Sequence, residues 1–296
     1  MSLSENSHKM YNSAWLSYQN MQRELGKPAS FPISRDDLVA FIAHLSLSGK
    51  KASTICSYVS GLAFLHKSKN FADPSDCFLV RKILEGSRRD KPSTPDFRHP
   101  LTLNLLHTAI TGTKIICLSD YEATLFEAAM VLAFYAFLRV SEFTALSKNK
   151  ISDRALQIGD VRFVPAQVHG EGHMHVTIRY SKTDQRGRST TLIIPEARET
   201  DVCPVRALKR YIDMRTPGEG QLFWHFDRSP LTRFQFSSVL KRALEVKGVL
   251  NVGFTSHSLR IGACTHFAML GVDDDELMRM GRWSSSAYQR YIRIPV

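Results

Sequence analysis

Residues 281–296 read GRWSSSAYQRYIRIPV and place two tyrosines, Tyr288 and Tyr291, after Trp283 among three arginines. Two aromatics on a last helix suit packing against a core. They also suit a different chemistry, in which one phenol is a nucleophile and the arginines face a phosphate. Other cationic points raise the same question. In FTSHSLRIGACTHFAMLG, residues 254–271, His257 and Arg260 share a face in the first turn of a helix capped by Thr255 or Ser256. A helix N-terminus offers free amides and a positive dipole end, so an adjacent His and Arg complete an anion site. Leu259, Ala263, Phe267 and Leu270 form the expected core stripe of that helix. Arg139, in FLRVSEFTAL, stands where a strongly apolar run gives way to a short helix expected over Glu142–Leu146 behind an N-cap at Ser141. Glu142 is either its structural partner or the group that holds the guanidinium toward a ligand. Lys182 falls in SKTDQRGR, a polar turn from which a flexible ammonium reaches outward. Taken singly, each of these has an ordinary structural explanation.

These residues need elements to position them. Tyr11, Trp15, Tyr18, Gln19 and Gln22 fall near helical spacing, and Gly26-Lys27-Pro28 stops that element. Ser34 and early acids open a second helix with Leu38, Phe41, Ile42 and Leu45 as its stripe. A third runs over about residues 52–66 and a fourth over about 76–85. Pro92, Pro95 and Pro100 then interrupt a basic stretch, GSRRDKPSTPDFRHP, which is either an ordinary solvated linker or, through Arg88, Arg89, Lys91 and Arg98, a contact to a polyanion. Beyond it come helices, including the buried run AAMVLAFYAFL over residues 128–138. Strand-like alternation follows over 155–164, 174–180 and 189–195, the last two expected to form a hairpin around Lys182, and helices return from Pro204. The expectation is a mainly α fold: a helical domain over 1–88, a basic linker over 89–100, and a mostly helical domain with a small antiparallel sheet over 101–296.

Composition narrows the partner. A net charge of +11 over 296 residues, shared between both halves, suits a polyanion such as duplex DNA, closed upon by two basic domains. The five scattered cysteines form no C-x-x-C pair, no secretory h-region opens the chain, and the longest apolar run is too short for a bilayer. An intracellular protein without membrane contact is expected. His169, His173 and His175 have a spacing a metal could use, yet no carboxylate or cysteine completes a ligand set, so no metal or other cofactor is expected.

The order of the cationic points carries more than any one of them. Arg139-Val-Ser-Glu142, Lys182, His257-Ser-Leu-Arg260, Gly281-Arg-Trp283 and Tyr291-Ile-Arg resemble the tyrosine recombinase (phage integrase) superfamily across the whole second domain. The helical first domain resembles that family's core-binding domain. GRWSSSAYQRYIR looks most like recombinases of eukaryotic DIRS- and Crypton-type mobile elements, although Trp283 and Tyr291 stand one residue closer than in most bacterial and phage members. The resemblance implies a catalytic set of Arg139, Lys182, His257, Arg260, Trp283 and Tyr291, with Glu142 behind Arg139. It implies a DNA strand-transferase working through a 3′-phosphotyrosyl intermediate, self-associating as a dimer or tetramer on double-stranded DNA, in a nucleus or a nucleoid. A type IB topoisomerase-like enzyme and a domesticated, non-catalytic DNA-binding protein are the competing readings.

The chemistry fits the residue types. Attack on a phosphodiester builds negative charge on its non-bridging oxygens, which rigid guanidinium forks match better than ammonium groups do. An indole N–H adds a neutral donor. An unperturbed phenol ionises near about 10, so a histidine base helps the attack, and a mobile lysine protonates the leaving 5′-oxygen.

Overall fold

The structure, a computed structural model, describes residues 5–90, 96–149, 152–166, 172–180, 189–197, 200–250 and 252–293. The chain divides into two compact units, Met1–Asp96 and Phe97–Val296.

The first unit is built from α1 (Glu5–Glu24), α2 (Arg35–Leu47), α3 (Ala52–Ser68) and α4 (Phe78–Asp90). Ser34 starts α2 by accepting the Asp37 N–H, and the acids Asp36 and Asp37 suit the positive end of the helix dipole. Apolar residues at helical spacing then meet in one core: Ala14, Tyr18 and Met21 from α1, Leu38, Phe41, Ile42 and Leu45 from α2, and Ile55, Val59 and Leu62 from α3. The fourth helix runs further than its sequence suggests, so Arg88 and Arg89 lie exposed on its last turn, Arg89 being a residue expected in the linker. Of the other residues in the expected linker, 91–95 lie outside the described residues. His99 and Leu101 are hydrogen-bonded to Gly253 and Ser258 of the second unit.

The second unit contains α5 (Leu103–Ile116), α6 (Asp120–Tyr135), a 3-10 turn at Val140–Glu142, β1 (Val161–Val164), β2 (His173–Ile178), β3 (Thr190–Pro195), α7 (Pro204–Met214), α8 (Arg233–Val246), α9 (Ser256–Met269), α10 (Asp274–Gly281) and a 3-10 turn at Ser286–Tyr291. The strands form an antiparallel sheet in the order β1-β2-β3. In β2, Met174, Val176 and Ile178 are buried and alternate with half-buried residues, the pattern of a strand with one face on a core. The strand expected over 155–164 keeps only its last four residues. Ile158–Asp160 coils into a 3-10 turn because the Asp160 carboxylate accepts the Gln157 N–H at 2.8 Å.

The central helix is α6, apolar on nearly all sides and buried from Tyr121 to Phe134 except at the half-buried Glu122 and Glu127. It stops at Tyr135, before the end of the apolar run. Phe137 takes a left-handed conformation (φ 48), uncommon for a bulky residue. That turn frees the Ala136 and Phe137 carbonyls from the helix. Against α6 lies α9, where Gly262 lets the chain approach closely, since a Cβ there would overlap the Leu101 carbonyl. No described helix is long and apolar enough to cross a membrane.

Candidate active site

The site is built around the first turns of α9. Thr255 caps the helix by accepting the His257 N–H at 3.2 Å, and Ser258 returns the favour to the Thr255 N–H at 3.0 Å. Arg260 follows and is 0% exposed. A buried guanidinium needs acceptors. Arg260 finds them in the Phe137 carbonyl, by Nη1, and the Gly281 carbonyl, by Nη2. Its Cζ lies 4.3 Å from the centre of the Trp283 ring and 5.7 Å from that of Tyr291, so two aromatic faces cover the cation. Burial, with the nearby Arg139 and Arg282 charges, pushes the Arg260 pKa down, while Glu142 and Tyr291 oppose the shift. Its Nε–H is buried with no acceptor among the described residues. The stripe expected on this helix holds for Leu259 and Ala263, but Leu270 is 66% exposed and lies past the end of the helix.

Arg139 does not precede a helix over Glu142–Leu146 with Ser141 as its cap. The residue itself caps the 3-10 turn Val140–Glu142, because Glu142 reaches back to the Arg139 backbone N–H at 2.8 Å through Oε2. Through Oε1 the same carboxylate accepts Arg139 Nη1 at 3.0 Å. A second cation shares it: Arg282 Nη2 donates to Oε2 at 2.7 Å. The Glu142 side chain is 4% exposed, that of Arg282 6%, and that of Arg139 19%, so Arg139 is the most accessible of the three. Arg282 also donates to the Ala136 carbonyl at 3.0 Å and to the Phe137 carbonyl at 3.2 Å. Phe137 thus joins Arg260 to Arg282, and Arg282 joins both to Glu142 and Arg139. Arg282, inside Gly281-Arg-Trp283, is a residue to which its position in the sequence assigns no role.

The two tyrosines part company. Tyr288 is 2% exposed, its backbone carbonyl accepts from Cys264 Sγ, and the Asp274 carboxylate beside its phenol raises that group's pKa. Tyr291 is half-buried, with its ring centre 5.1 Å from that of His257 and 5.1 Å from that of Trp283. Thr265 fixes this segment to α9: its hydroxyl donates to the Ile261 carbonyl and lies 3.1 Å from the Tyr291 carbonyl, and it accepts the Arg293 N–H at 3.0 Å. Arg139, Glu142, His257, Arg260, Trp283 and Tyr291 therefore gather in one place.

Lys182 lies outside the described residues. The strands that flank it, β2 and β3, are paired up to Ile178 and Thr190. Arg179 beyond β2 is tied to Asp160 at 2.6 Å. Of the basic residues expected to meet DNA, Arg88 and Arg89 are exposed, Arg98 is half-buried and Lys91 lies outside the described residues. His173 and His175 stand with ring centres 5.2 Å apart on β2; His169 is not described. Chemically, the gathered set offers a phenol between an imidazole and an indole, above one buried guanidinium and beside a second, more open one. That is a set of donors suited to a tetrahedral or pentavalent oxyanion, with a phenol within the same cluster.

Comparison with known proteins gives the same direction. Residues 103–294 match the model of the phage integrase family. An "Integrase/recombinase xerD homolog" from Selenomonas ruminantium is 26% identical, over 98% of this chain and 82% of that protein. Among solved structures, a lambda integrase dimer bound to a COC' core site superposes with a TM-score of 0.61 at 16% identity, covering 98% of this chain and 72% of that one. The Tn1549 transposon integrase in complex with transposon right end DNA gives a TM-score of 0.60 at 16% identity, covering 100% and 91%. At that identity the two structures speak to the fold.

Proposed function

The chain belongs to the phage integrase family, the tyrosine recombinases, which cut and rejoin DNA through a phosphotyrosyl intermediate, and from that premise we propose how its own residues carry the reaction. The Tyr291 oxygen attacks a backbone phosphorus while His257 takes the phenolic proton. Arg139 and the Nε–H of Arg260 receive the charge gathering on the non-bridging oxygens, and Trp283 adds an indole N–H. Lys182 gives a proton to the departing 5′-oxygen. The products are a 3′-phosphotyrosyl ester and a free 5′-hydroxyl. Because the ester keeps a phosphodiester's energy, a 5′-hydroxyl from another strand reverses the step without ATP. Glu142 keeps Arg139 in place.

The observation that carries this reading is the placement of Tyr291 against His257 and Trp283, above Arg260, while Tyr288 is turned into the core. The Arg260 Nε–H, buried with no acceptor among the described residues, adds to it, since an unmet donor costs roughly 1–3 kcal/mol that a phosphate oxygen would recover.

The same reading extends to partners. The two units, taken as a core-binding domain over about 1–88 and a catalytic domain over about 101–296, both contact duplex DNA, with Arg88, Arg89, Lys91 and Arg98 on the backbone. Copies assemble as a dimer or tetramer on that DNA. The GRW context of Trp283 favours a mobile-element recombinase of the eukaryotic DIRS or Crypton kind, working in a nucleus; a bacterial host would put it on the nucleoid. Incubation with a panel of nicked and supercoiled DNAs, followed by denaturing electrophoresis and mapping of the DNA-linked peptide, tests the proposal. Adduct at Tyr291 is expected. Adduct at another residue, or binding with no adduct on any DNA, would remove the assignment.

A further inference from the structure

Arg282 presents a conflict between backbone and side chain. It is the residue that ends α10, in the left-handed conformation (φ 56, ψ 46) where glycine is the usual occupant. An arginine there carries backbone strain, and long flexible side chains gain nothing from being ordered unless they make strong contacts. Its contacts are strong. The guanidinium is 6% exposed and spans two main-chain carbonyls, Ala136 and Phe137, and the carboxylate of Glu142.

The carboxylate is the informative partner. Glu142 has two oxygens and two cations. Arg139 Nη1 holds Oε1 at 3.0 Å, and Arg282 Nη2 holds Oε2 at 2.7 Å. A guanidinium beside an otherwise unshared carboxylate forms a two-pronged pair, using two donors at once. With Arg282 on Oε2, the described side-chain bonds of Arg139 use Nη1 alone. Three guanidiniums also surround a single carboxylate, so the cluster keeps a surplus of two positive charges. Without Arg282 the surplus falls to one, and Oε2 keeps only the Arg139 backbone N–H at 2.8 Å, which leaves it open to the Arg139 guanidinium, whose side chain is 19% exposed.

We propose that Arg282 is a positioning residue: by occupying Glu142 Oε2 it keeps Arg139 from closing onto that carboxylate, so Arg139 presents its remaining N–H groups to a phosphate. This rests on the reading that Arg139 is a phosphate ligand. It assigns a role to a residue outside the catalytic set.

The test uses the full chain without DNA, titrated with inorganic phosphate while the guanidinium N–H resonances of Arg139 are followed by NMR. Arg282→Gly is the first variant, because glycine accepts the left-handed backbone and removes only the side chain. Its phosphate affinity at Arg139 is expected to fall about tenfold, the scale of one charge-assisted contact. Adding Glu142→Gln to Arg282→Gly is expected to restore most of the affinity, since the competing carboxylate is gone. Arg282→Lys, which keeps a cation for Glu142 but cannot span the carbonyls, is also expected to restore it, and serves if Arg282→Gly does not fold. A mere structural clamp gives the opposite pattern: the double variant binds worse than Arg282→Gly, and lysine does not rescue. Either of those results, or an unchanged affinity in Arg282→Gly, overturns the proposal. Arg139 resonances that ignore phosphate in the unaltered protein refute the ligand reading itself, and the positioning role with it.

Discussion

The two units differ in the polar groups they bury. In the first, the buried polar side chains are neutral and close on neighbours. Gln22 donates to the Tyr18 hydroxyl one helical turn away, and His66 accepts the Ile33 N–H at 2.9 Å while its other ring nitrogen meets the Leu62 carbonyl at 2.8 Å. In the second, neutral groups such as Thr113, Gln221 and Thr265 are buried as well, but charged groups join them. Arg260, Arg282 and Glu142 are held by each other, by Arg139 and by main-chain carbonyls that a left-handed turn at Phe137 makes available. Neutral groups satisfied nearby stabilise a packing. Charges held in a strained setting cost free energy to keep, and that cost is the mark of a site. The comparison separates scaffold from chemistry, and each of its halves can be attacked.

The largest effect is expected at the charged cluster. Tyr291→Phe removes one oxygen from a half-buried ring, so folding and DNA affinity should be unchanged while covalent adduct disappears. Tyr288→Phe should keep the adduct. Adduct formed by the Tyr291→Phe protein would reverse the assignment.

Next come the guanidiniums. Arg139→Ala should slow cleavage by about 10²–10³, the scale on which one preorganised oxyanion donor acts. DNA binding, measured separately by fluorescence anisotropy, should change little against the many other phosphate contacts. Arg260→Lys keeps a charge but loses the fork that serves the Phe137 and Gly281 carbonyls. It should show a comparable rate loss together with lower stability in urea, by roughly 1–3 kcal/mol for a carbonyl left unmet. If Arg260→Lys cleaved normally, the buried cation would belong with the scaffold.

The first unit supplies the contrast. His66→Leu fills the same space but abandons the Ile33 N–H and the Leu62 carbonyl, so it should cost about 1–3 kcal/mol in chemical denaturation. The cleavage rate on saturating DNA should stay as it was. A slower chemical step in His66→Leu would blur the division.

That division also governs what could be read from the sequence. The first unit was legible almost throughout, because apolar spacing, a Ser34 cap and the Gly26-Lys27-Pro28 stop are local signals and its buried polar residues do not override them. The alternation of Met174, Val176 and Ile178 gave the sheet its β2 for the same reason. Around the site, local rules failed where tertiary demands won. No glycine or proline stands between Asp120 and Arg139, so nothing local says that α6 ends at Tyr135. It ends there because two guanidiniums need the carbonyls that follow. A serine cap at Ser141 was the natural reading, and Glu142 displaced it by bonding the Arg139 backbone. Order and residue type single out Arg139, Lys182, His257, Arg260, Trp283 and Tyr291, the second of them outside the described residues, but not Arg282. Its left-handed backbone favours glycine, and nothing in sequence distinguishes an arginine that tolerates it from one that exploits it.

The smallest expected effect lies between these extremes, at a charged pair remote from the tyrosines. His225 Nδ1 lies 2.9 and 2.8 Å from the two Glu122 oxygens, joining the loop before α8 to the first turn of α6. Burial lowers the pKa of His225, but hydrogen bonding and attraction from Glu122, helped by Gln235 and Asp227, outweigh it, and the net shift is upward. A histidine raised on folding binds its proton more tightly in the native state. Its contribution is therefore complete below the ordinary histidine range, about 6.5, and fades as pH rises through the higher folded value. His266, lowered by burial beside Phe134, works the other way and weakens the fold as pH falls. Total stability against pH mixes the two, so the useful quantity is the difference between the unaltered protein and His225→Gln. That difference cancels His266. It should be about 0.2–1 kcal/mol near pH 6, the scale of a partly exposed pair, and should shrink steadily toward pH 8 and above. A difference that stayed flat across this range would mean that His225 does not bind its proton more tightly in the fold, and that this pair belongs to the scaffold.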